Sequence, residues 1–189
     1  MKKIAIDLDG VVFDSETLYR VYTEIYDVDN FKKDSLVDNS QRIYQKRYNW
    51  SKEENDKFYN LYSGEILKSA NVMTGADIVL KKLNIDYEII VVTSRSDEEI
   101  EYAKEFFDKI GLNNIKVYNN QISKIDVFLE EKVDYIIDDD KDICERASVN
   151  SITALYFKNA AQGLVNENNY LKIVNNWGEI YKFIKLGEK

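Results

Sequence analysis

The sequence predicts an α/β fold, with a mostly parallel sheet and a small helical insertion. Short β-branched runs alternate with amphipathic helical stretches, the pattern of βαβ units. Acidic and hydroxyl residues fall at the ends of several of those runs. One connection, residues 9–86, is far longer than a simple crossover needs.

Residues 3–8, Lys-Ile-Ala-Ile-Asp-Leu, read as a short buried strand stopped by Asp9-Gly10. From Ser15 the period becomes helical, with Leu18, Val21, Tyr22 and Ile25 on one face. Residues 27–40 are polar and turn-like, and a short helical pattern returns at 43–48. Ser51 and Glu54 make a capping box for a longer helix whose Phe58, Leu61, Tyr62 and Ile66 share a face. After Gly75, the residues Ala76, Val79, Leu80 and Leu83 form the stripe of another helix.

Residues 87–93 are dense in β-branched side chains and read as a strand. Ser96 and Glu99 cap the helix that follows, and Gly111 ends it. A strand at 115–118, a helix at 124–131 and a strand at 133–137 come next. That strand ends in Asp138-Asp139-Asp140. A helix at 141–148, a strand at 152–157, an asparagine-rich loop and a last helix at 179–186 complete the chain. Residues 1–13 and 74–189 thus form the expected α/β core, and 14–73 an inserted helical subdomain.

Composition narrows the chemistry. At 189 residues the chain has room for one domain with an insertion, and 44% hydrophobic residues supply a sizeable core. The formal net charge of -8 and the absence of a basic stripe argue against nucleic-acid polymers as partners. An anionic substrate would need cations gathered locally. Cys144 is the sole cysteine, so an internal disulfide is excluded, and it reads as a small apolar helix residue. With no histidine, Ser-His-Asp and Cys-His mechanisms fall away, as do histidine-bearing metal sites. Proton transfer is left to carboxylates, lysine or tyrosine. The start of the chain is too soon interrupted by Asp7 to be a signal peptide, and no apolar run suits a membrane span. A cytoplasmic protein is expected.

In a parallel sheet, ligands bind outside the carboxyl ends of the strands. Asp7 and Asp9, Thr93 and Ser94, and Asp138 and Asp139 all fall at such ends, with Lys124 on the same side. Asp7 and Asp9, two apart, can present both carboxylates to one centre. Close carboxylates repel unless a cation lies between them, and Mg²⁺ suits one or two carboxylates plus waters and phosphate. Alone, the Asp-x-Asp pattern serves equally well as a turn cap.

Residues 7–15, Asp-Leu-Asp-Gly-Val-Val-Phe-Asp-Ser, are more specific. They resemble the first motif of haloacid dehalogenase-like (HAD) phosphatases. Ile89-Ile90-Val91-Val92-Thr93 resembles the second motif, Lys124 the third, and Tyr135-Ile136-Ile137-Asp138-Asp139 the fourth, in the family's order. The resemblance implies a Rossmann-like core and a Mg²⁺-dependent phosphatase of small phosphate esters. Asp7 would be the nucleophile that forms an aspartyl-phosphate. Asp9 would be the general acid and then base, in a site that favours its protonated form. Thr93 would bind a phosphoryl oxygen, and Lys124 would neutralise charge. The metal would lie among Asp7, the backbone carbonyl of Asp9, Asp138 and Asp139, with Asp142 further out and Asp140 facing solvent at a helix start. Ser94 is a further phosphate donor. Arg95 reaches either the substrate or a surface salt bridge.

The insertion resembles the family's C1 cap, a lid over the cleft. Its aromatics, among them Tyr19, Tyr44, Trp50, Phe58 and Tyr59, are expected mostly to pack; the alternative reading has one or two of them stacking on a base. Tyr48-Asn49-Trp50-Ser51 and the stretch 174–181 resemble the branch of 5′(3′)-deoxyribonucleotidases, which implies a nucleoside monophosphate as substrate. Alternatives are a sugar-phosphate phosphatase or phosphomutase, and a non-catalytic phosphate-binding regulator. A receiver domain is excluded by motif order, since the strand at 115–118 ends in asparagine rather than aspartate.

Overall fold

The computed structural model describes every residue except 33, 40, 42, 121–122, 159–164 and 188–189. The chain begins with β1 (Lys2–Ile6), α1 (Ser15–Phe31), α2 (Tyr44–Arg47) and α3 (Lys52–Ser69). It continues through α4 (Ala76–Leu83), β2 (Tyr87–Val92), α5 (Asp97–Lys109) and β3 (Lys116–Tyr118). The rest comprises α6 (Lys124–Glu130), β4 (Tyr135–Asp138), α7 (Lys141–Val149), β5 (Thr153–Phe157), β6 (Leu171–Val174) and α8 (Trp177–Leu186).

The strands form one sheet in the order β3-β2-β1-β4-β5-β6, with every pair parallel. Alternation along β1 explains why it is central. Ile4 and Ile6 join a core layer with α4, α5 and α8, while Ala5 joins the opposite layer with α6 and α7. Both faces are covered, so the central strands are continuously apolar, as a buried parallel sheet requires. Ile6 pairs with Val91 of β2 and Ile137 of β4. That register brings the ends of the three strands level. The strand order also reverses at β1, where an open α/β sheet leaves a crevice.

The chain leaves this frame at Phe13 and returns at Val72, where the two form an antiparallel bridge. Asp14 N–H donates to Asn71 O at 2.8 Å, and Met73 N–H to Val12 O at 2.8 Å. Between these crossings α1, α2 and α3 build a third cluster of their own, from Tyr26, Tyr44, Tyr48, Trp50, Phe58 and Ile66.

Several local expectations need correction. α1 runs on to Phe31 through the stretch read as turn-like. Val21, Ile25 and Leu61, assigned to inward faces, are about half exposed. The buried face of α1 instead carries Thr23, Tyr26 and Asp27. Its polar members have partners: Trp50 Nε1–H and Ser35 N–H donate to Asp27 at 2.9 and 2.7 Å, and Thr23 Oγ1 lies 3.1 Å from Tyr48 Oη. A satisfied polar group is buried at little cost, and apolar periodicity does not reveal it. Leu8 lies beyond the end of β1, α8 begins earlier at Trp177, and β6 occupies part of the stretch read as an asparagine-rich loop. Residues 159–164 of that loop lie outside the described residues.

Candidate active site

The first strand delivers Asp7 to the crevice. Its N–H donates to Ile137 O at 3.0 Å, continuing the β1–β4 ladder by one residue. Leu8 then turns into the core, and its carbonyl accepts from Val12 and Phe13 N–H at 2.9 Å each. Gly10 adopts φ 76, a left-handed conformation that glycine takes without steric cost, which lets the turn close tightly. Trp177 supports the turn from behind, its indole N–H donating to Val11 O at 2.9 Å.

β4 brings Asp138 alongside Asp7, and α6 brings Lys124 between them. The Lys124 ammonium lies 3.0 Å from Asp7 Oδ2 and 2.8 Å from Asp138 Oδ2. All three groups are buried. Asp138 Oδ1 accepts the N–H of Asp140 at 2.8 Å, which together with Lys124 on Oδ2 fixes its carboxylate plane. Asp139, also buried, completes an acidic cluster with Asp7 and Asp138, each offering an oxygen within 4.8 Å of the others. Among the described residues this is the one group of that kind.

Burial pushes the Asp7 carboxyl up to about 6; Lys124 pulls it down, and Asp138 and Asp9 add to the rise. Burial acts to lower the Lys124 ammonium, but Asp138 and Asp7 outweigh it and hold the group above its ordinary value. The cluster therefore carries one firmly charged cation against three carboxylates. The donors are hard carboxylate oxygens gathered within 4.8 Å of one another, a donor set that suits Mg²⁺.

The remaining acids divide as their positions dictate. Asp140 caps α7, accepting from Asp142 N–H at 2.8 Å and Ile143 N–H at 3.3 Å. Asp142 is exposed and stands outside the cluster. Cys144 is buried beneath, its Sγ 3.4 Å from Asp138 O, and burial raises its thiol.

Asp9 stands apart from these acids. Its carboxylate is not in the acidic cluster; Arg95 Nε and Nη2 donate to its two oxygens at 2.9 and 2.7 Å. Arg95 is buried and lies over the Phe13 ring, 5.1 Å from its centroid. It is neither a surface salt bridge nor a group aimed freely at solvent. A guanidinium, rather than an apolar surround, stands against Asp9.

Thr93 is buried at the end of β2, and its Oγ1 accepts Arg95 N–H at 3.3 Å, so its own hydroxyl proton is left to donate. Ser94 is exposed and lines a cavity of about 230 Å³ together with Asp9, Gly10 and Asp139 from the sheet side. From the insertion the cavity is lined by Ser15, Glu16, Tyr19, Tyr44 and Tyr59. Sequence reasoning missed Glu16. Its signal is weak: it is an acid in the first turn of α1, where negative charge suits any helix. The structure pairs it with Arg20 Nε at 2.9 Å and with the Tyr44 hydroxyl at 2.8 Å.

No family model matches the chain. It is 24% identical over 188 residues to a 5′(3′)-deoxyribonucleotidase of Bacillus subtilis strain 168, covering 95% of this chain and 97% of that protein. A 5′(3′)-deoxyribonucleotidase of Bacillus phage SPbeta matches with the same figures. Among solved structures, a haloacid dehalogenase-like family hydrolase from Streptococcus pneumoniae superposes with a TM-score of 0.69 at 14% identity. The match covers 97% of this chain and 98% of that one. A HAD-superfamily hydrolase, subfamily IA, from Geobacter sulfurreducens gives 0.62 at 16% identity, covering 97% and 99%. The parallel sheet, its reversal at β1 and these likenesses together show the fold of the haloacid dehalogenase-like hydrolases.

Proposed function

We propose that this protein is a Mg²⁺-dependent phosphomonoesterase that works through an aspartyl-phosphate on Asp7, with a nucleoside 5′- or 3′-monophosphate as substrate. The observation that carries the reading is the Lys124 ammonium held between Asp7 and Asp138, beside a third buried acid. Such a group suits phosphoryl transfer, which is mostly positioning and charge stabilisation.

Asp7 attacks phosphorus, the bond to the ester oxygen breaks, and Asp9 gives that oxygen a proton. Water then attacks the aspartyl-phosphate while Asp9 takes a proton from it. The bond to Asp7 breaks and inorganic phosphate leaves. Lys124 offsets charge on Asp7 throughout. Thr93, and Ser94 at the cavity wall, donate to phosphoryl oxygens. Asp7, Asp138, Asp139 and the Asp9 backbone carbonyl would hold Mg²⁺, which when bound would draw charge off the phosphoryl oxygens.

Residues 14–73 act in this reading as a lid that excludes water and selects the leaving group. The nucleotide assignment rests on the named activity of the Bacillus relatives and on Tyr19, Tyr44 and Tyr59 around the cavity. A cytoplasmic setting, with free Mg²⁺ and small esters, belongs to the same reading.

The test is phosphate release, with Mg²⁺, from nucleoside monophosphates, sugar phosphates and phosphoglycolate. Nucleotides should lead by at least about tenfold in kcat/KM, a difference of about 1.4 kcal/mol. A flat profile, or a sugar phosphate in first place, overturns the nucleotide assignment. No release from any ester overturns the phosphatase.

A further inference from the structure

We infer that Arg95 is a positioning residue for Asp9: it acts through that carboxylate rather than on the substrate. This deepens the phosphatase reading above and rests on it.

Three features of the geometry carry the inference. First, the pairing is bidentate, at 2.9 and 2.7 Å, which fixes the plane of the Asp9 carboxylate as a single bond would not. A carboxylate has about four lone-pair sites, so each oxygen keeps one free after Arg95 is served. Second, the two side chains differ in access. That of Asp9 is 30% exposed at the cavity wall, whereas that of Arg95 is 2% exposed and does not line the cavity. Arg95 therefore grips Asp9 from the protein side and leaves its remaining lone pairs toward the substrate.

Third, Arg95 is itself held. Its N–H donates to Thr93 Oγ1 at 3.3 Å, its carbonyl accepts Asn120 N–H at 2.8 Å, and its guanidinium rests on the Phe13 ring. The residue that orients the acid is thus fastened to the threonine that would hold the phosphoryl group. The register of β1 against β2 then sets the distance between acid and phosphate. Misplacing a reacting group by about 1 Å costs about a hundredfold in rate, so an anchor of this kind affects turnover more than binding.

The test is a double-mutant cycle on Mg²⁺-dependent phosphate release, with Arg95→Lys, Arg95→Met and Asp9→Asn singly and Arg95→Met combined with Asp9→Asn. Circular dichroism confirms folding, and Arg95→Lys, which keeps the charge but not the fork, serves if Arg95→Met fails to fold. We expect Arg95→Lys to lower kcat about tenfold or more, with KM held within about twofold. In the Asp9→Asn background, Arg95→Met should cost less than about threefold further, because the group it orients is already gone. Independent, multiplying losses, or a KM raised about tenfold with kcat kept, place Arg95 on the substrate and overturn the inference. An unchanged or higher kcat in Arg95→Lys shows that the pair restrains Asp9 unproductively and also overturns it. A wild-type protein without phosphatase activity overturns the functional reading itself, an outcome distinct from the others.

Discussion

The Lys124 ammonium lies 3.0 Å from Asp7 and 2.8 Å from Asp138, one buried cation serving two buried carboxylates. Removing one partner from a buried ionic group costs far more than the pair contributes net, because the remaining charges are left desolvated. Lys124→Met should therefore destabilise the metal-free protein by roughly 3–5 kcal/mol. Mg²⁺ should recover part of that loss by binding the folded state alone. The rate should fall by about a thousandfold or more, since the variant lacks the charge that stabilises the transferring group. Chemical denaturation with and without Mg²⁺ checks the first two statements. A variant as stable as wild type in chelator would mean that the three groups do not share one electrostatic balance.

Asp7 supplies a pH dependence of definite sign. In the metal-free protein its carboxyl is raised to about 6, chiefly by burial, with Lys124 opposing and Asp138 adding. In the unfolded chain it titrates near the usual value of about 3.9. Between those two values the folded state holds more protons, so this group's contribution weakens stability as pH rises from about 4 to about 6 and is constant above. The size is on the order of 1–3 kcal/mol. Asp7→Asn removes the contribution along with the nucleophile. With a chelator present, the stability of the variant relative to wild type should improve between about pH 4.5 and 7.5, while activity is abolished. Parallel stability profiles for the two proteins would sink the argument.

Legibility differed by the kind of signal. The sheet was readable because central parallel strands must be apolar on both faces, and Ile4-Ala5-Ile6 and Tyr135-Ile136-Ile137 are. Asp7, Asp138 and Asp139 could be grouped because strand ends gather in space, whatever their separation in sequence, and Lys124 because it opens a helix on that same side. The buried face of α1 was not, because Thr23 and Asp27 are inside by virtue of hydrogen bonds to residues far along the chain. β6 is short and half-buried at a sheet edge, with a lysine in its middle, so its apolar run is broken. Arg95 and Asp9 were each singled out but their pairing was not: no periodicity links residue 95 to residue 9. Only the parallel register of β1 and β2 brings them together.

A second acidic group titrates in the opposite sense. Glu131, just past α6, accepts from Lys116 at 2.6 Å and also from Lys3 and the Tyr118 hydroxyl. These donors, Lys116 first, hold its carboxyl down to about 2. A depressed carboxyl contributes stability that is present above the unfolded value of about 4.3 and lost as pH falls toward 2. Glu131→Gln should lower the melting temperature at neutral pH, and the gap should close as pH approaches 2. Because the cluster lies at the surface, added salt should shrink the gap as well. A melting-temperature difference indifferent to both pH and salt would assign the loss to packing.

The cavity wall contributed by the insertion offers the sharpest test of substrate choice. Tyr19 and Tyr44 stack on each other with centroids 5.5 Å apart and planes 26° from parallel, and the Tyr44 hydroxyl is tied to Glu16. Those two rings are engaged in the packing of α1 against α2. Tyr59 touches both of those rings and Phe58, but it lines the same cavity and is 36% exposed, where Tyr44 is buried. Stacking a base on an aromatic ring is worth about 1–3 kcal/mol. Tyr59→Ala should therefore lower kcat/KM for a nucleoside monophosphate by about tenfold. Deoxyribose 5-phosphate, which has the same ester and no base, should lose little. The ratio of the two specificity constants isolates the base contact from any general loosening of the insertion. Equal losses for both esters would make Tyr59 a packing residue and leave base recognition to other parts of the cavity.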